Sequence, residues 1–212
     1  MPMPHTLHDE RLDLVSGLLL NANATSVLDL GCGVGRLLSR LLDYPQFTLI
    51  TGIDISATAL ALARSELRSK SLSETRLTLI VGNFTQPQHQ AQVHDAVTMI
   101  ETIEHLDPAR MSAAEHTVFA HYRPRLAVVT TPNREYNPLL GLADGCLRDS
   151  DHRFEWGRAR FRAWPPAWRS DMATHCTSVA SANRIRSSVV RVNTHSLSAS
   201  EFDRSTLAAT RG

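Results

Sequence analysis

The chain has 212 residues, 42% of them hydrophobic and 20% charged, and its 22 Lys and Arg against 21 Asp and Glu give a formal net charge of +1. That length suits one domain with a full core, the near-neutral balance makes no general case for nucleic-acid binding, and no apolar run approaches the ~18 residues of a membrane span. Cys32, Cys146 and Cys176 form an odd, widely spaced set without a C-x-x-C pair and no signal-peptide pattern opens the chain, which together argue for a reducing, cytoplasmic setting and against a cysteine zinc site.

HDERLDLVSGLLL, His8 to Leu20, carries apolar residues at Leu12, Val15, Leu18 and Leu19 and predicts an amphipathic lead-in helix. Next, Val27, Leu28 and Leu30 read as a buried strand, Gly31, Gly33 and Gly35 follow at alternate positions, and RLLSRLL repeats leucine at helical spacing. This is a strand, a tight turn and a helix, with glycine where a Cβ would block a positive φ or hold the backbone away from a ligand. A dinucleotide fingerprint would run G-x-G-x-x-G, but here Arg36 stands where its third glycine belongs. The form D-x-G-x-G-x-G, led by Asp29, resembles the first motif of S-adenosylmethionine (SAM) dependent methyltransferases, whose ligand has an ammonium for Asp29 to hold. A generic strand-to-helix turn is the alternative.

LITGIDIS, Leu49 to Ser56, predicts a second strand ending at Asp54, ~20 residues past the glycine loop, where a carboxylate binds ribose hydroxyls. A helix follows over Ala57 to Lys70, then a third strand, Leu77 to Val81, and Gly82, Asn83 and Phe84 at the position where such folds contact adenine. Asn83 is a candidate for the base or for a turn. Asp95 to Ile100 predicts a fourth strand that stops abruptly at Glu101. If the chain turns helical there, Glu101, Glu104 and His105 share one face as i, i+3 and i+4, a set of oxygen and imidazole donors suited to Mg²⁺ or Mn²⁺. A solvated acidic helix start is the plain alternative, and the zincin H-E-x-x-H pattern is absent.

Helical sequence continues from Ala109 to about His121, and a fifth strand is predicted at Leu126 to Thr130, closed by Pro132 and Asn133. His152, in DHRFEWGRARFRAW, becomes a fourth metal ligand if its loop folds back over Glu101 to His105. Between His121 and Ser170 nine arginines face five acidic residues, and Lys70 is the only lysine in the chain. Forked guanidinium donors suit phosphate, although a genome-wide arginine bias gives the same count.

Taken together, LHDERLD, VLDLGCGVGRLL, ETIEHLDP, VVTTPNREYN and DHRFEW closely resemble the HEN-type small-RNA 3'-terminal ribose 2'-O-methyltransferases, particularly the bacterial members, over about Leu7 to Trp164. The resemblance implies a doubly wound, Rossmann-like α/β methyltransferase fold. It implies SAM held around the glycine loop and Asp54, to which the residues themselves add Asp29 and Asn83 as candidates, and a metal, by its donors Mg²⁺ or Mn²⁺, on Glu101, Glu104, His105 and His152. It further implies catalytic work for Glu104, His105 and His152, the metal engaging the 2' and 3' hydroxyls of the last nucleotide of a small RNA. A polynucleotide kinase-phosphatase and ligase are the repair partners implied in bacteria, and protection of silencing RNAs is the role in eukaryotes. Bacterial members carry an amino-terminal ligase-associated domain, whereas this chain starts at the methyltransferase.

Residues 1–164 thus read as the methyltransferase domain. Residues 165–212, rich in Ser, Thr and Arg, read as an atypical tail, disordered or frame-altered, with a candidate strand at Ser188 to Asn193. The sheet is expected to end near the fifth strand or gain at most one irregular edge strand. A metal-independent methyltransferase of small molecules and an inactive SAM-fold remnant are the rival readings.

Overall fold

The computed structural model describes residues 6–68, 70, 76–91 and 93–164, together with the strand backbones at 177–178 and 187–193. At its centre, β1 (Ser26–Leu30) alternates its side chains between two cores, Val27 entering one and Leu28 and Leu30 the other. Parallel strands flank β1 on both sides, β2 (Leu49–Asp54) and β4 (Ala96–Ile100), with β3 (Leu77–Val81) beyond β2 and β5 (Leu126–Pro132) beyond β4. All seven residues of β5 are buried, as a strand covered on both faces requires.

The first core packs α1 (Leu7–Asn21), α2 (Arg36–Leu42) and α3 (Ala57–Leu67) onto Val27, Ile50, Ala96 and Val128. Its leucines recur at the spacing that predicts these helices, and α1 begins at a capping box in which Thr6 and Asp9 satisfy each other's backbone N–H. The second core sets Leu30, Val97, Met99 and Val129 against Met111, Val118 and Phe119 and against Phe161 of α5 (Arg158–Ala163). The helix expected from Ala109 to His121 is a composite of a 3₁₀ turn at Pro108–Arg110, α4 (Met111–Glu115) and a π-helical stretch at His116–Tyr122. The π turns bury Thr117, Val118, Phe119 and Tyr122 together. Among the described residues no helix is long and apolar enough to cross a membrane.

Among the described residues the sheet has seven strands in the order β3-β2-β1-β4-β5-β7-β6. The candidate strand near Ser188 is β7 (Ser187–Asn193), antiparallel to β5 and paired with it residue for residue from Leu126↔Asn193 to Pro132↔Ser187. A two-residue β6 (Thr177–Ser178) pairs outside β7. The expectation of one irregular edge strand at most is therefore corrected. SSVVRVN is dense in β-branched residues, and the outer edge of a fully buried β5 needs a partner for its backbone groups. The remainder of 165–212 lies outside the described residues.

Candidate active site

The strand order reverses between β2 and β4 around β1, which opens a crevice at the carboxyl ends of the parallel strands. A cavity of about 400 Å³ occupies it, lined by Gly31, Asp54, Asn83, Phe84, Thr102 and His105 together with Ile55, Glu101, Leu106 and Arg110. Gly31 sits at φ 76°, and a Cβ there would lie 2.3 Å from Cγ2 of Thr102. Glycine thus lets the end of β1 meet the chain leaving β4.

Asp54 organises the loop from the next strand. Its Oδ2 accepts from the Gly33 N–H at 2.7 Å and its Oδ1 from the Ser56 N–H at 2.8 Å. Each carboxylate oxygen keeps a further lone pair for a ligand hydroxyl. Asn83 also faces the cavity, but its Oδ1 accepts from both the N–H and the hydroxyl of Thr85, so a turn role is engaged. Gly33 and Gly35 shape the loop without lining the cavity, Gly35 being packed close to Leu67 and Ala63 of α3. Asp29 does not open onto the cavity either. It is 3% exposed, its Oδ1 accepts from the Thr98 hydroxyl at 2.7 Å, and burial pushes its carboxyl up to about 7 against that hydrogen bond.

The chain does not turn α-helical at Glu101. Glu101 adopts φ 52°, and only Ile103–His105 form a short 3₁₀ turn, so the three side chains do not share a helix face. Glu101 instead accepts from the Thr130 hydroxyl at 2.9 Å and pairs with Arg11 of α1 at 3.3 Å. The structure nevertheless gathers Glu104, His105 and His152, whose donor atoms all lie within 4.8 Å of one another. Glu101 is not in that group. Ligands ~2.0–2.3 Å from one cation stand at most about 4.6 Å apart, so the three need only a small torsional adjustment to share an ion.

Glu104 is fully buried. Its Oε2 accepts from the Thr131 hydroxyl at 3.1 Å, while its Oε1 has no hydrogen-bond partner among the described residues. Burial first, and then the neighbouring Glu101 charge, raise its carboxyl well above the ordinary range. An orphaned buried carboxylate oxygen beside two imidazoles fits a divalent cation, which would take the place of the proton.

His152 reaches the group because its loop is fastened on both sides. The Arg153 N–H donates to the Glu104 carbonyl at 2.7 Å, the His105 and His152 rings meet edge to face at 4.9 Å, and Trp156 bridges to Asn133 at the end of β5. Glu155, 5% exposed, accepts from His152 Nδ1 at 2.6 Å. Burial alone would raise its carboxyl, yet bonds from Asn137, the Arg148 N–H and His152 hold it below the usual value. Sequence reasoning missed Arg11, Thr102, Thr131 and Glu155. Of these only Glu155 carried a local signal, three residues beyond the singled-out histidine.

A methyltransferase domain model matches residues 27–125. The solved methyltransferase domain of bacterial CtHen1 superposes with a TM-score of 0.75 at 34% identity, covering 89% of this chain and 100% of that one. The chain belongs to the Hen1 family. The small RNA methyltransferase HEN1 also superposes, with a TM-score of 0.79 at 27% identity over 93% of this chain and 27% of that one. The Small RNA 2'-O-methyltransferase of Mus musculus is 34% identical over 166 residues, 74% of this chain and 41% of the relative. This Hen1-family chain therefore spans about two fifths of the length of such relatives. Its fold is that of the SAM-dependent methyltransferases.

Proposed function

We propose that the chain transfers the methyl group of SAM to the 2'-hydroxyl of the 3'-terminal nucleotide of a small RNA, with Mg²⁺ or Mn²⁺ held by Glu104, His105 and His152. The observation that carries this reading is the convergence of those three donors, of which His105 lines the glycine-loop cavity. The relatives named as small RNA 2'-O-methyltransferases support the substrate class. A bound cation would supply a lowered pKa and a fixed orientation for an otherwise poorly nucleophilic ribose hydroxyl.

The protein's own residues supply the rest. Asp54 binds the cofactor ribose, while Ile55, Phe84 and Leu106 give the cavity an apolar lining that keeps water from the sulfonium. The sulfonium–methyl bond breaks as the oxygen–methyl bond forms, leaving S-adenosylhomocysteine, and the hydroxyl proton departs. His105, which lines the cavity, spends its one imidazole lone pair on the cation in this arrangement, so that proton passes to solvent water. Glu101 remains on Arg11 and Thr130 and contributes charge rather than a bond. A cytoplasmic setting and a kinase-phosphatase and ligase as repair partners belong to the same proposal, supported by the cysteine usage and the bacterial resemblance.

The test is methyl transfer from labelled SAM to matched RNAs that differ only at the last sugar. A 3'-hydroxyl end should be methylated with Mn²⁺ and not in EDTA, whereas 3'-phosphate and 3'-deoxy ends should react poorly and DNA not at all. Glu104→Ala should cost turnover roughly 10²-fold or more with SAM affinity retained. Full activity in EDTA, or equal rates on 3'-hydroxyl and 3'-deoxy ends, would defeat it.

A further inference from the structure

We propose that Glu155 is a positioning residue that holds His152 as its Nδ1–H tautomer, presenting the Nε2 lone pair to Glu104 and His105. The contact between His152 Nδ1 and Glu155 Oε1 is 2.6 Å long, with side-chain exposures of 9% and 1%. A carboxylate can only accept, so in the neutral ring the shared proton belongs to Nδ1 and Nε2 carries the lone pair. The same relay, from carboxylate through imidazole to cation, orients ligating histidines in general and sharpens their basicity.

Glu155 is itself immobilised. Its Oε1 also accepts from the Arg148 N–H at 2.7 Å, and its Oε2 accepts from Asn137 Nδ2 at 2.7 Å. The Asn137 amide has one consistent orientation, because its Oδ1 accepts from Arg148 Nε at 2.7 Å while Nδ2 also donates to the Cys146 carbonyl at 3.2 Å. Arg148 further donates to the Asn133 carbonyl at the end of β5. The ring of His152 is thus referred back to the sheet through three fixed side chains, although His152 stands on a loop. A carboxylate that served only to tie segments 133–137, 146–148 and 152–155 together would need no bond to the imidazole, and its loss would leave cation affinity unchanged.

The consequence for cation binding rests on the function proposed above; the tautomer does not. In the full chain labelled with ¹⁵N-histidine, without metal and at pH 8, two-bond ¹H–¹⁵N spectra should show His152 protonated at Nδ1. An Nε2–H ring, or one that averages between tautomers, would overturn the proposal. In Glu155→Gln, whose amide presents a donor to a site full of donors, Mn²⁺ affinity measured by paramagnetic resonance should fall roughly 10- to 100-fold. SAM affinity should stay within about twofold, because the cofactor loop is built separately on Gly31, Gly33 and Asp54. Unchanged Mn²⁺ affinity in that variant would also overturn it. If Glu155→Gln fails to fold, the wild-type spectrum decides. If the wild-type chain takes up no Mn²⁺, the cation reading fails, and the tautomer of His152 still settles the role of Glu155.

Discussion

Burial of Asp29 has a measurable consequence for stability. Its carboxyl is raised from the ordinary 3.8 to about 7 by loss of solvent, so between those values the folded protein keeps a proton that the unfolded chain has released. Stability from this group is full at low pH and is lost as pH rises through about 7. The displacement corresponds to about 4 kcal/mol at most. Asp29→Asn, which keeps a partner for the Thr98 hydroxyl, should therefore gain stability relative to wild type between pH 5 and pH 8 in urea unfolding of the SAM-free protein. A difference that does not change over that range would contradict the assignment. The glycine loop offers a second comparison. Gly31→Ala combines a left-handed φ with a Cβ 2.3 Å from Thr102 and should cost about 2–5 kcal/mol, while Gly33→Ala has open space and should cost only about 1–2 kcal/mol. Melting temperatures separate the two, and equal losses would mean that Thr102 yields easily.

Among the elements, the strand-turn-helix around Gly31 was legible because leucine spacing and glycine chemistry point to the same local structure. The turn after β4 was not. ETIEH fits a helix by propensity, but Glu101 must leave β4 with φ 52° to keep its N–H on Thr130, and a three-residue 3₁₀ turn is all that follows. The ion pair that holds Glu101 comes from Arg11, some ninety positions earlier, a separation that no local pattern reports. That pair links α1 to the candidate cation site and leads to a prediction. Arg11→Met removes a positive charge beside Glu101 and Glu104, so Mn²⁺ affinity should rise roughly three- to tenfold, about 1 kcal/mol, while the folded state loses about 1–3 kcal/mol from the stranded Glu101. Titration by paramagnetic resonance beside thermal unfolding checks both signs. A fall in affinity would mean that Arg11 shapes the cation site rather than opposing it.

At the scale of the whole molecule, the five parallel strands and both helical layers followed from periodicity, because each segment buries a face that its own sequence marks. The far side of the sheet did not. The β-branched residues of SSVVRVN marked a candidate strand at Ser188 to Asn193, but its serine-rich context gave no sign of a partner, and the need of β5 for one explains the pairing over seven residues. Pairing of this extent makes β7 part of the fold that carries the site, since β5 contains Thr131, which bonds Glu104, and leads directly into Asn133, which anchors Arg148 and Trp156. A chain cut after residue 164 would leave the outer edge of β5 with unpaired N–H and carbonyl groups between two apolar layers. Such a fragment should lose its cooperative thermal transition and elute as oligomers in gel filtration, where the full chain should do neither. It should also lose Mn²⁺ affinity, because the β5 end no longer fixes Thr131 and Asn133. A monomeric fragment of residues 1–164 that melts cooperatively and binds Mn²⁺ like the full chain would show instead that β7 covers the sheet without supporting the site.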